Sequence, residues 1–287
     1  MHKEHPQKLE SALYVVATPI GNLRDITLRA LEVLAAADVV AAEDTRNTAH
    51  LLSHHGISAG RIIALHQHNE RGAAQKIIAL LQSGQSVAFV SDAGTPAVSD
   101  PGALLVEEVR TAGLRVIPIP GANAAIAALS AAGLRDAHFL FYGFLPNRSA
   151  ARRGELHKLA GIPCALVFYE APHRILACVA DLHAVLGGER RIVLAREITK
   201  LYETIHACAL DQAEAWLRSD ANQQRGEFVV LVSAAAERTG LPAEAVNTLS
   251  VLLEELPLKQ AVQLAAKITG QNRSELYQKA LSLGNAV

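Results

Sequence analysis

Six short clusters in this sequence group residues that could do chemistry. They are Thr18-Pro19-Ile20-Gly21-Asn22, Glu43-Asp44-Thr45-Arg46, Ser91-Asp92-Ala93-Gly94-Thr95-Pro96, Pro120-Gly121-Ala122-Asn123, Tyr169-Glu170-Ala171-Pro172-His173-Arg174 and Ala195-Arg196-Glu197-Ile198-Thr199-Lys200. Each follows an apolar run. Carboxylates, guanidinium and ammonium groups, with turn-formers that present backbone amides, suit ligand binding. The stretch from Val90 to Gly102 is the fullest, with two glycines, two prolines, two aspartates and three hydroxyl residues. Strand-to-helix turns usually run about two to six residues, and this one is longer. No nucleophile–base signature is present. His66 and His68 stand two apart, but no third or fourth ligand lies nearby. They read as part of a polar loop, and no metal is expected.

The elements that must position these clusters follow from hydrophobic patterning. Strands are expected at Ser11–Ala17, Asp38–Ala42, Arg61–Leu65, Val87–Val90 and Leu114–Ile119, with helices between them. Asp25 or Thr27 can cap the first helix. A second half follows, with strands at Phe139–Phe144, Ala165–Tyr169, Ile192–Ala195 and Phe228–Val232. The fold class is therefore α/β, as two α/β domains with a small helical module. The expected boundaries are 11–123, 124–238 and 239–287. In open α/β sheets ligands bind beyond the carboxyl ends of the strands, so six such loops in two halves imply a shared cleft.

Composition narrows the classes. Half of the 287 residues are hydrophobic and only 4% are aromatic, which favours helices on mostly parallel sheets. The net charge of -1 leaves any nucleic-acid site to a local patch. Arg148, Arg152 and Arg153 form one such patch in a turn-rich stretch, which suits either phosphate contact or plain solvation. The tail is another. Its last three expected helices include a helix, a Gly270 turn and a helix, and residues 258–287 carry a net +3 from Lys259, Lys267, Arg273 and Lys279 against Glu275. This resembles a helix-turn-helix, and a dimerisation or capping role is the alternative. Cys164, Cys178 and Cys208 are widely spaced and odd in number, which suits reduced thiols. The polar start and the lack of an apolar run near about 18 residues suggest a cytoplasmic protein. Standard nucleotide folds are disfavoured, because the first loop holds one glycine and no Gly-Lys-Ser/Thr motif occurs.

Taken in order, TPIGNLRDIT, AAEDTR, LHQHNE, SDAGTPAVSDPG, PGANAAIAALSAAGL, YEAPHR, AREITKLYE and GEFV resemble the ribosomal RNA small subunit methyltransferase I family. These are the 16S rRNA cytidine 2′-O-methyltransferases of the tetrapyrrole methylase superfamily, whose fold is that of the class III SAM methyltransferases. The resemblance implies S-adenosylmethionine (SAM) as methyl donor, a homodimer, and 16S rRNA of the small subunit as partner. It implies donor contacts at Pro19, Ile20, Ser91, Asp92, Thr95, Asn123, Ala124, Tyr169, Ala195 and Glu227, with Asp92 and Thr95 foremost. The second half of the long loop, Ser99 to Gly102, is expected only to turn the chain.

Methyl transfer to a hydroxyl is an in-line displacement that needs alignment and help in ionising the acceptor. Lys200 and Glu197 are the expected acid–base partners. Arg46 and Arg196 are expected to hold phosphate or ribose, and Asp44 and Glu170 are further candidates. Arg148, Arg152, Arg153, Lys259, Arg273 and Lys279 are the expected RNA contacts. Two rival functions share these features: a precorrin methyltransferase of the same fold, and a non-enzymatic DNA-binding regulator. The basic tail speaks against the first, and the lack of a strongly basic recognition helix against the second.

Overall fold

The structure is a computed structural model. It describes residues 8–58, 60–66, 69–235 and 241–284, so Gln67, His68 and the expected boundary at 238/239 lie outside the described residues. The chain divides into two compact units, residues 1–234 and 235–287.

Five wholly parallel strands build the first sheet of the larger unit. They are β1 (Leu13–Val16), β2 (Val39–Ala42), β3 (Ile62–Ala64), β4 (Val87–Val90) and β5 (Val116–Ile119), in the order β3-β2-β4-β1-β5. Strands β2 and β4 are buried along their whole length, as a parallel sheet covered on both faces requires. One face packs through Val16, Leu34, Val40 and Val90, and the other through Leu13, Ala41, Ile77 and Phe89. Helix α1 (Leu28–Ala36) starts where the Thr27 hydroxyl accepts the Ala30 amide, at 3.1 Å. Helices α2 (Thr45–His54), α3 (Glu70–Gln82), α4 (Ala103–Thr111) and α5 (Ala124–Ala132) complete this half of the chain.

The second sheet departs from the mostly parallel expectation. Strands β6 (Phe139–Phe144), β7 (Ala165–Glu170), β8 (Arg191–Arg196), β9 (Thr204–Ala209) and β10 (Phe228–Val232) run in the order β6-β7-β10-β8-β9. Only β6 and β7 are parallel. The reason is the short return from β8 to β9. Seven residues, Glu197 to Glu203, leave room for a hairpin but not for a crossover. The basic stretch around Arg148 is also not a loop. Helix α6 (Ser149–Leu159) starts there, and α7 (Ile175–Leu186) and α8 (Leu210–Ser219) pack with it on one face. The other face is covered by α5, whose small side chains meet Val167, Val193 and Ala195.

The smaller unit holds α9 (Ala243–Glu255), α10 (Leu258–Thr269) and α11 (Arg273–Gly284). Leu249, Val262, Ala265 and Leu276 form its core. Pro257 opens α10, and Gly270 closes it in the left-handed conformation.

Candidate functional site

Within the larger unit, a cleft of about 300 Å³ lies between the strand-end loops of the two sheets. The first loop is fixed to the third. Thr18 and Gly94 exchange backbone hydrogen bonds of 2.8 and 3.0 Å. Ile20, Gly94 and Thr95 then line the cleft, and the Thr95 hydroxyl donates to the Ala122 carbonyl at 3.1 Å. Asn123 caps α5 by accepting the Ile126 amide at 3.1 Å, so Asn123 and Ala124 reach the wall at the start of that helix.

On the far side, Tyr169 and Ala195 point inward from β7 and β8. The Tyr169 hydroxyl accepts the Ala125 amide at 3.3 Å, which leaves its own proton free to be donated. Burial pushes this phenol up, offset by the Ala125 hydrogen bond and supported by nearby Asp100.

The β8–β9 hairpin supplies the charged end. Lys200 Nζ donates to Glu197 Oε1 at 2.8 Å and to Glu227 Oε2 at 2.9 Å, while the Glu227 amide donates to Glu197 Oε1 at 2.9 Å. Glu197 and Thr199 hold left-handed backbone angles, φ 52° and 66°, which non-glycine residues rarely adopt. Two glycines make room for the pair. A Cβ on Gly21 would overlap the Lys200 side chain, and one on Gly226, at φ +83°, would overlap Glu197. Burial works to lower the Lys200 ammonium, but its bonds to Glu197 and Glu227 outweigh it and the net movement is upward. Burial likewise works to raise Glu197, yet Lys200 and the Glu227 amide hold it below the ordinary carboxylate range. This is a fixed ion pair. Neither group is tuned to take up a proton near neutrality.

Several expected site residues lie elsewhere. Strand alternation explains two of them. Tyr169 and Ala195 face the cleft side, so the side chains of Glu170 and Arg196 face the opposite side, with Phe168 and Leu194. The Glu170 carboxylate is fully buried and pairs with Arg174 at 3.0 Å. Its backbone alone is left to edge the cleft. Arg196 donates to the Arg225 carbonyl at 3.2 Å and to Thr204 Oγ1 at 3.1 Å. Pro19, Ser91 and Asp92 line a neighbouring recess of about 210 Å³, together with Asn47 and His50. Asp92 is engaged there by the Asp44 amide and the Asn47 side chain, both at 3.1 Å. Asp44 caps α2 and chelates Arg46, at 3.1 and 2.6 Å, and this hydrogen bonding holds its carboxyl far below the usual range.

Arg152 cannot be an RNA contact. It is 2% exposed and pairs with Asp181 at 2.7 Å. Asp181 is half of a buried network on α6 and α7. Burial opposes its charge, but Arg153, Ser149 and Arg152 hold it ionised below its ordinary value. Arg153 spends its Nε on that carboxylate and keeps its outer part exposed, while Arg148 is exposed at the start of α6. In the smaller unit, Lys259 and Arg273 are exposed, and Lys279 edges a shallow groove with Ser274 and Gln278.

The sequence reading missed Val98, Ser99 and Asp100, which line the cleft. The long loop therefore does more in its second half than turn the chain. Ala97 and Ser99 both sit at φ 65°. The carboxylate of Glu70 accepts the amides of Gly102, Leu104 and Leu105 at 2.9, 3.1 and 3.3 Å, which ties the loop to α3. The signal available was the second aspartate itself, spaced eight residues from the first in a proline- and glycine-flanked stretch. Among the described residues no group of three or more His, Cys, Asp or Glu side chains could hold a metal ion.

Comparison with known proteins agrees with this architecture. Residues 12–214 match the tetrapyrrole (corrin/porphyrin) methylases, and residues 239–284 match the RsmI C-terminal HTH domain. Among relatives, the ribosomal RNA small subunit methyltransferase I of Pseudomonas aeruginosa is 53% identical over 94% of this chain and 96% of its own. That of Escherichia coli O157:H7 is 52% identical over 95% of each chain. That of Neisseria meningitidis serogroup B is 49% identical over 99% of this chain and all of its own. Among solved structures, a cobalt precorrin-4 methyltransferase has a TM-score of 0.60 at 16% identity, covering 78% of this chain and 95% of its own. Diphthine synthase has a TM-score of 0.60 at 18% identity, covering 78% and 90%. By sequence along nearly its whole length, and by fold, this chain belongs to the ribosomal RNA small subunit methyltransferase I family of the tetrapyrrole methylases.

Proposed function

We propose that the protein is a SAM-dependent methyltransferase that modifies the ribose 2′-hydroxyl of a decoding-centre cytidine in 16S rRNA. It acts on the small ribosomal subunit in the cytoplasm, as a homodimer. The observation that carries this reading is the pairing of a methylase cleft with the C-terminal helical unit that the rRNA-methylating relatives share. Leu201 and Tyr202, at 87% and 68% exposure on the β8–β9 hairpin, support a protein–protein contact.

The cleft fits the donor. Its walls are mainly apolar, from Ile20, Ala124, Ala195 and Val229, with polar groups at the ends, as a nucleoside with a charged amino-acid arm requires. Ile20, Thr95, Asn123, Ala124, Tyr169, Ala195 and Glu227 would hold it. Pro19, Ser91 and Asp92 would support that wall from the adjoining recess. When bound, SAM supplies an electrophilic methyl group on a sulfonium. The chain's own part is to orient the acceptor and to manage its proton. Lys200 acts as a fixed cation that donates toward the acceptor oxygen, with Glu197 anchoring it. Arg148, the outer part of Arg153, Lys259, Arg273 and Lys279 would meet phosphates, and this fits shape-based recognition of folded RNA.

The test is tritium-methyl transfer from labelled SAM onto small subunits lacking the modification, with the labelled nucleotide mapped and ribose methylation separated from base methylation. Precorrin and duplex DNA serve as the competing substrate and ligand. Label on precorrin and none on RNA would establish the rival enzyme. Salt-dependent DNA binding with no methylation would establish the regulator.

A further inference from the structure

We propose that Asp100 is the proton acceptor for the methyl-accepting hydroxyl. This rests on the methyltransferase reading above and deepens it. The cleft is edged by four acidic residues, Asp100, Glu170, Glu197 and Glu227. Three are already committed to cations, Glu197 and Glu227 to Lys200, and Glu170 to Arg174. Asp100 differs in its surroundings. The charged groups facing it are the carboxylates of Glu43, at the end of β2, and Asp92, after β4. The Ser91 hydroxyl lies beside it, and the Tyr169 phenol faces it from β7.

The backbone around it is tightly turned. The loop bearing it passes through two left-handed non-glycine residues, Ala97 and Ser99, and is closed by the Ala97 amide on the Pro101 carbonyl at 3.3 Å. Backbone strain of this kind collects at functional sites. Partial burial, with Glu43 and Asp92 adding to it and the Ser91 hydroxyl opposing, pushes the Asp100 carboxyl up to about 6. A base that titrates just below neutrality is ionised at working pH and still basic enough to accept a proton.

The hydroxyl proton passes to an Asp100 oxygen as the ribose oxygen forms its bond to the methyl carbon. The bonding pair between sulfur and methyl remains on sulfur, and the sulfonium becomes a neutral thioether. Asp100 then returns the proton to water. Lys200 stays protonated throughout.

The experiment compares wild type with Asp100→Asn and Ser91→Ala, using SAM and unmethylated small subunits under single-turnover conditions from pH 5 to 9. Donor affinity is measured separately by calorimetry. Asp100→Asn is expected to bind SAM within about threefold of wild type and to lose methyl transfer by about 100-fold or more. The wild-type rate rises through a limb near pH 6 that Asp100→Asn lacks. Ser91→Ala, which removes the hydroxyl that favours the anion, moves that limb to higher pH. Retained turnover in Asp100→Asn, an unchanged limb, or a loss explained by weaker donor binding overturns the assignment while the wild type still methylates RNA. A wild type that methylates no RNA overturns the functional reading with it.

Discussion

Replacing Asp100 by asparagine should stabilise the protein at neutral pH, and the size of the gain can be worked out. The carboxyl stands at about 6 in the fold against its ordinary 3.8. At about 1.36 kcal/mol for each tenfold change in the acid constant, that difference is worth about 3 kcal/mol. Asp100 is only partly buried, and solvent screening reduces this to about 1–1.5 kcal/mol. The sign follows from which state ionises first. Below pH 3.8 the group is neutral in both the folded and the unfolded chain, so the variant gains nothing there. Between pH 3.8 and about 6 the unfolded chain ionises first and the wild type loses stability. Above that window the loss is complete. For a unit of this size, about 2–4 °C per kcal/mol applies, so Asp100→Asn should melt about 3–5 °C above wild type at pH 8. The gain should fall to about half at pH 5. Thermal unfolding followed by circular dichroism at the two pH values provides the check. A difference in Tm that is equal at both, or negative at pH 8, refutes the claim that the fold holds this carboxylate at a cost.

Other outcomes follow from the same geometry. Gly226→Ala meets both a left-handed φ and the Glu197 side chain, and should cost about 2–3 kcal/mol in urea unfolding. Gly56→Ala, at φ +67° with open space around it, should cost only about 1 kcal/mol and serves as the control. Asp181→Ala strands a buried Arg152 and should cost about 3–5 kcal/mol, measured the same way. A chain ending at Ala234 should keep its SAM affinity in calorimetry. It should bind small subunits at least about tenfold more weakly, with a shallower dependence on salt. Loss of SAM binding in that truncation would instead give the helical unit a structural role.

Much of the site could be read from sequence because polar clusters at strand ends are local features. The loops at Thr18, Ser91, Asn123 and Glu197 were recognisable without any knowledge of pairing. What escaped depended on parity or on distance along the chain. Tyr169 and Glu170 are neighbours in a strand, so they cannot both face the cleft, and the pattern of β7 held that information unused. Arg152 finds Asp181 across 29 positions, and no local pattern marks such a pair. Asp100 owes its chemistry first to burial in the cleft wall and then to Glu43, neither of which is visible before the chain folds. The antiparallel pairings of the second sheet were hidden for the same reason, since pairing order is not written in the composition of a strand.

The fork from Glu70 to the amides of Gly102, Leu104 and Leu105 extends the reach of mutation. Glu70 does not line the cleft. It nonetheless sets how firmly the wall bearing Asp100 is held. Variation at the start of α3 can therefore tune turnover while every residue in contact with substrate stays the same. Natural or engineered changes in rate have an adjustment point here that a list of cleft residues would omit.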